Sequence, residues 1–217
     1  MNNTLTRYER QKRSARKRFR QEGQRTLKAL QENTLSPLAG MEYFYDRFNE
    51  LLNEPSKPND KPIVASMCMH VPAEIIYALG AQPVRICSGV HVTDTIGAEH
   101  LPAKACPLVK STLGAIHMEM LPVSTDPIMI VNPTTCDQKR KLGEVTASLG
   151  KELYTLELPP TKDSEEARAY WLRSVKKFTL AMEKVTGNRL TKRKLKSAIS
   201  MVAKAQEEYR RFHLLRQ

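Results

Sequence analysis

IVASMCMHVPAEIIYALGAQPVRI, residues 63–86, decides the fold. Ile63 to Met67 form a nearly unbroken apolar run, the pattern of a short strand buried on both faces. Pro72 suits the first turn of a helix, where a missing N–H loses no hydrogen bond, and Gly80 marks that helix's end. Pro83-Val84-Arg85-Ile86 then reads as the next short strand. Strand, helix and strand in such close succession make the repeating unit of a parallel sheet.

The alternation continues downstream. A helix is expected from about Pro107 to Ile116, a strand from Pro127 to Val131, a helix from about Cys136 to Leu149, and a last strand from Leu153 to Leu156 that stops at Pro159-Pro160. The expected fold class is therefore α/β: a three-layer domain with a short parallel sheet flanked by helices, plus an N-terminal helical extension and a C-terminal helical pair. The expected division is 1–60 for the extension and linker, 61–160 for the α/β domain, and 161–217 for the helical pair. In the extension, Ser36 and Pro37 read as the N-cap and first position of a helix. Its apolar residues Leu38, Met41, Phe44, Tyr45, Phe48, Leu51 and Leu52 fall at three- and four-residue steps, which predicts docking on a core. Asn53 to Lys61, with Pro55, Pro58 and Asn59, reads as a linker. At the other end, Asp163 with Glu166 reads as a capping box. The helix that follows is expected to break at Gly187-Asn188, with a second one starting at Thr191.

A chain of 217 residues with 41% apolar and 6% aromatic residues is long enough to bury a core. No apolar run is long enough to cross a bilayer, and the basic N-terminus has no apolar stretch behind it, so no secretory signal is expected. Four cysteines without close spacing read as cytosolic thiols rather than a disulfide framework. The net charge of +12 is concentrated at the ends. Residues 1–30 hold ten Lys/Arg against two Glu, and residues 164–217 hold fourteen against five Glu, leaving the middle acidic. Solvated helix faces, or faces that meet an acidic partner, are preferred here to nucleic-acid binding, because no recognised nucleic-acid motif accompanies the charge.

Three cysteines carry the chemistry. Cys68, Cys106 and Cys136 each stand where a strand hands over to a helix, with Pro72 and Pro107 marking two of the helix starts. In an open parallel sheet these junctions share one edge, where backbone N–H groups and helix dipoles favour thiolate. Thiolate is a soft ligand suited to iron–sulfur clusters, zinc or copper(I). The competing reading of any one of them is a small buried hydrophobe. Cys87, in VRICSGV, is expected to be core. Four cysteines spaced 19, 19 and 30 residues apart are unlike zinc-finger ligands. There is no phosphate-binding glycine loop, so any ATP is expected to be used by another protein.

Cys68 with VPAEIIYALGAQPVRICSG, then LPAKACPLVKSTLG and TTCDQKRKLGE, together resemble the 2-hydroxyacyl-CoA dehydratase family, which includes benzoyl-CoA reductase subunits and double-cubane cluster proteins. The resemblance covers about residues 36–217. It implies a cytoplasmic, oxygen-sensitive subunit of an anaerobe that binds an iron–sulfur cluster, either [4Fe-4S] or double-cubane. Cys68 and Cys106 fall on ligand positions, and Cys136 falls on a third cysteine motif resembling the double-cubane branch. His70 and Lys139 are candidate donors to the cluster's surroundings, although a solvated role is the default for each. Glu74 is expected to be structural, and Met67 and Met69 flank the first ligand. In the family, an ATP-dependent activator donates one low-potential electron, and the cluster passes it to an acyl-CoA thioester to give a ketyl radical that expels hydroxide.

Family members are usually about twice this length. The resemblance therefore implies a partner: a second half-subunit or homologous subunit, besides the activator and an acyl-CoA or small-molecule substrate. The alternative is a non-catalytic scaffold subunit that keeps the fold.

Overall fold

In the computed structural model, the described residues are 6–36, 39–53, 60–121 and 126–214. They fall into two compact units.

The unit made of residues 60–85 and 126–214 holds the sheet. Its strands are β1 (Ile63–Ser66), β2 (Gln82–Arg85), β3 (Met129–Pro133) and β4 (Tyr154–Leu156), in the order β2-β1-β3-β4 and all parallel. The register places Ser66 beside both Arg85 and Val131, so the strand C-termini line up along one edge. Helix α3 (Ala73–Ala78) joins β1 to β2, and α6 (Asp137–Ser148) joins β3 to β4. Two long helices follow, α7 (Glu165–Thr186) and α8 (Lys192–Leu214). With helices flanking a parallel sheet, the three-layer α/β class is the one expected. The core joins Val64 and Val131 of the sheet to Ile76 and Leu79 and to Phe178 and Met182 of α7, all essentially without solvent contact.

α7 differs from expectation at its start. Ser164, not Asp163, is the N-cap, and its hydroxyl accepts a hydrogen bond from Ala167 N–H at 3.1 Å. The backbone reaches helical angles one residue later than the sequence pattern suggests, which leaves Asp163 outside. Ser164→Ala is expected to lower stability by about 1 kcal/mol in urea unfolding, whereas Asp163→Ala leaves the midpoint unchanged. α7 ends as expected at Gly187, which takes the left-handed conformation with φ 68°.

The other unit, from the segments 1–59 and 86–125, is helical: α1 (Arg7–Asn33), α2 (Met41–Asn53), α4 (His91–Gly97) and α5 (Pro107–His117). Ala15 of α1 packs with Val92, Ile96 and Met118. Tyr8 donates from its hydroxyl to the His117 carbonyl at 2.7 Å, and Lys12 pairs with Glu119. Helix α4 was not foreseen. Its sequence HVTDTIG is short, β-branched and closed by glycine, so propensity does not announce it. It exists by packing against α5.

α2 departs further. It starts at Met41 rather than beside Ser36; Pro37 and Leu38 lie outside the described residues, as do Pro55, Pro58 and Asn59. The expected stripe docks only in part: Leu52 is buried against Gly23 of α1 and Met41 and Tyr45 are half-buried, while Phe44, Phe48 and Leu51 are exposed.

Candidate functional site

β1 ends by pinning Met67 N–H to the Val131 carbonyl at 3.0 Å, so the next residue emerges at the carboxyl edge of the sheet. That residue is Cys68, held at φ 64°. A side-chain-bearing residue in the left-handed region costs about 1–2 kcal/mol, which the surrounding turn must supply. The turn aims the thiol toward its neighbours: Cys68 Sγ lies 3.9 Å from His70 Nδ1.

From the neighbouring strand β3, the chain turns through Thr135 and Cys136 into α6. Cys136 is the N-cap residue and is exposed; its carbonyl accepts from Lys139 N–H at 3.1 Å and from Arg140 N–H at 3.3 Å. Asn132, buried at the end of β3, donates from Nδ2 to the Lys139 carbonyl at 2.8 Å and fixes that first turn to the sheet. Lys139 was expected to be solvated but is only 7% exposed.

These contacts set the charge state of Cys68. Burial opposes ionisation of the thiol, yet hydrogen bonds from His70, the Met69 N–H and Thr135, with the positive charge of Lys139, outweigh it and bring the pKa below the ordinary thiol range, to about 6. At neutral pH the side chain is a thiolate, the form that binds soft metals or attacks electrophiles. Met67 is buried and Met69 is 77% exposed, so of the two flanking methionines only the first belongs to the core. Glu74 is half-buried, with no ion pair among the described residues.

The edge opens into a cavity of about 850 Å³ lined by Cys68, His70, Glu74, Arg85, Trp171 and Tyr209 among others. Trp171 and Tyr209 come from α7 and α8, so the two long helices wall the edge of the sheet. The sequence motifs pointed to the thiols but not to this wall, because nothing local to either helix marks the face that meets the strand ends.

Cys68 and Cys136 are thus brought to one sheet edge of one unit. Cys106 belongs to the other unit, where it is the exposed N-cap residue of α5, with its carbonyl accepting from Val109 N–H and Lys110 N–H. Cys87 is half-buried rather than enclosed. Among the described residues, no three His, Cys, Asp or Glu side chains form a ready metal-binding group. The donors fit a thiophilic group by chemistry, with one ionised and one open thiol on a single edge.

Residues 68–217, beginning at Cys68 itself, match the family model described as 2-hydroxyglutaryl-CoA dehydratase, D-component. The chain belongs to this family. Among curated proteins, a relative of this chain is "Putative dehydratase subunit YjiM" of Escherichia coli (strain K12), 29% identical over 156 residues. That alignment takes in 72% of this chain and 40% of YjiM, so the matched stretch covers less than half the length of that relative. Among the described residues, no helix is long and apolar enough to cross a membrane.

Proposed function

We propose that this chain is the iron–sulfur cluster-binding part of a 2-hydroxyacyl-CoA dehydratase-like enzyme, working with a partner subunit and an ATP-dependent electron-donating activator. The observation that carries the reading is Cys68: the first residue of the family match is also the thiol whose surroundings hold it as thiolate, beside Cys136 on the same edge. When bound, a cluster would supply single low-potential electrons to the thioester of an acyl-CoA or to a small molecule.

The chain's own residues have defined parts in this reading. Cys68, Cys106 and Cys136 are the ligands. His70 and Thr135 orient the Cys68 sulfur, and Lys139 offsets negative charge at the edge while remaining withdrawn from solvent. The cavity of about 850 Å³ lies in the size range that encloses an organic ligand; Trp171 and Tyr209 supply apolar wall, and Arg85 supplies one cation for an anionic group. Residues 61–160 then form the ligand-bearing part, 1–60 an extension, and 161–217 the helices leading toward a second domain.

The test is iron and acid-labile sulfide per chain, measured on protein prepared without oxygen. Both are expected in the unaltered chain and are expected to fall to background in Cys68→Ala, Cys106→Ala and Cys136→Ala. Iron retained by all three variants, or none bound after reconstitution, would remove the cluster reading and favour the scaffold alternative.

A further inference from the structure

The family match begins at Cys68, so α1 lies outside it, and nothing in the proposed chemistry uses this helix. α1 is a 27-residue helix closed at its start by a complete capping box between Thr6 and Glu9. Ala15 packs it onto α4, and the Tyr8, Lys12 and Arg16 side chains tie it to the end of α5 and the turn after it. Those contacts fix which side faces solvent.

On that side stand Arg7, Arg13, Lys17, Arg18, Arg20 and Arg25, all exposed. Elsewhere on the helix, Lys12 is answered by Glu119 and Lys28 by Glu32. Among the described residues, none of the six reaches a carboxylate within ion-pair distance. At about 100° per residue they form two flanks, Arg13 and Arg20 on one, and Arg7, Arg18 and Arg25 on the other, with Arg10, Ser14, Lys17, Gln21 and Gln24 between, where Gln24 Nε2 donates to Asn53 Oδ1 of α2 at 3.1 Å. From Arg7 to Arg25 the row runs about 27 Å along the axis.

We propose that this face of α1 binds the phosphate backbone of duplex DNA. A double helix presents one negative charge per ~1.7 Å of its axis, which is the regular linear array that a straight row of cations requires. Its major groove, about 12 Å wide, admits an α-helix and places phosphates on both sides, which answers the two flanks. Arginine, the residue at five of the six positions, grips phosphate with a planar fork of donors. An anionic membrane fits less well, because Phe19 and Leu27 are withdrawn from this face and leave it nothing apolar to insert. An acidic protein would need a matching straight row of carboxylates. The missing motif that counted against nucleic acid in the sequence bears on base reading, whereas backbone binding needs only the row of charge.

The test is fluorescence anisotropy of the full chain with a labelled duplex of roughly 20 base pairs across 50–200 mM salt. Six phosphate contacts predict a slope of log affinity against log salt near −5, a loss of about a thousandfold over that range. The triple variant Arg13→Gln/Arg18→Gln/Arg20→Gln is expected to make the slope shallower by about 3, and Arg13→Lys/Arg18→Lys/Arg20→Lys to restore most of it, which separates lost charge from lost folding. The proposal is overturned if the glutamine triple keeps the full slope, or if Lys192→Gln/Arg193→Gln/Lys196→Gln in α8 weakens binding equally, since diffuse net charge would then suffice. It is also overturned if single-stranded RNA of the same length, anionic vesicles or polyglutamate bind as tightly as the duplex.

Discussion

Gly114→Ala is expected to unfold the helical unit that carries Cys106. A β-carbon at Gly114 would lie 2.0 Å from the Thr93 carbonyl oxygen and 3.1 Å from Gly97 N, and one at Gly97 would lie 1.9 Å from the Lys110 carbonyl oxygen. α4 and α5 therefore touch backbone to backbone, each through the other's glycine. In an ordinary helix, alanine would be the better residue by up to about 1 kcal/mol. Here the obstacle is main chain, which has no rotamer to turn away, so the helices must part. Parting them opens the buried hydroxyl cluster in which Ser111 hydrogen-bonds Ser88 and Thr93, each at 2.9 Å, and loosens the packing of Val92, Ile96 and Met118. A loss of about 3 kcal/mol or more follows, seen as a lower urea midpoint and a drop in helical circular dichroism. Gly143→Ala is the control: its β-carbon would meet Asn132 Nδ2 at 3.4 Å, an ordinary contact, and a change within about 1 kcal/mol is expected. A Gly114→Ala midpoint matching the unaltered chain would mean that the two helices do not meet at their backbones.

What the sequence made legible follows from the range of the forces involved. The four strands, with α3, α5 and α6 between them, are written locally: apolar runs, prolines at first turns and glycines at ends mark IVAS, the AEIIYA helix and the PLVKSTLGAIH helix within a residue or two. α4 was missed because its stability comes from a glycine-mediated contact with a partner beginning ten residues beyond its end. The stripe on α2 was read correctly as amphipathic and wrongly as buried throughout: periodicity shows that a face is apolar, not that anything covers it. At the site, the strand-to-helix rule located Cys68 and Cys136 on one edge, but it failed for Cys106, which opens a helix that follows α4 and not a strand. It could not reveal that Lys139, three residues into α6, turns inward, or that α7 and α8 supply Trp171 and Tyr209 to the same cavity. Such facts depend on which face of a helix meets its neighbour, and that is decided by packing across the whole unit.

Cys68 is expected to react as a thiolate whose formation has its midpoint near pH 6. The sign follows from the groups around it: burial favours the neutral thiol, but the His70 ring, the Met69 N–H, the Thr135 hydroxyl and the charge of Lys139 favour the anion and prevail. The thiolate therefore predominates above about pH 6 and is lost as pH falls below it, whereas an unperturbed cysteine stays protonated until about 8.5. Labelling of the Cys68 peptide by iodoacetamide, followed by mass spectrometry on metal-free protein across this range, reads the midpoint directly. His70→Ala removes the largest of the favouring contacts, and Lys139→Met replaces a buried cation by a neutral side chain of similar length; each is expected to move the midpoint upward. An unaltered chain that labels with a midpoint near 8.5 would show that the edge does not hold charge as described. The consequence reaches metal binding. A ligand already ionised at neutral pH releases no proton when it coordinates, so the Cys68 contribution to affinity is flat above about pH 6 and weakens below it as protons compete for sulfur. In Lys139→Met that weakening is expected to begin at higher pH, which ties a residue that touches no metal to the acid limit of the site.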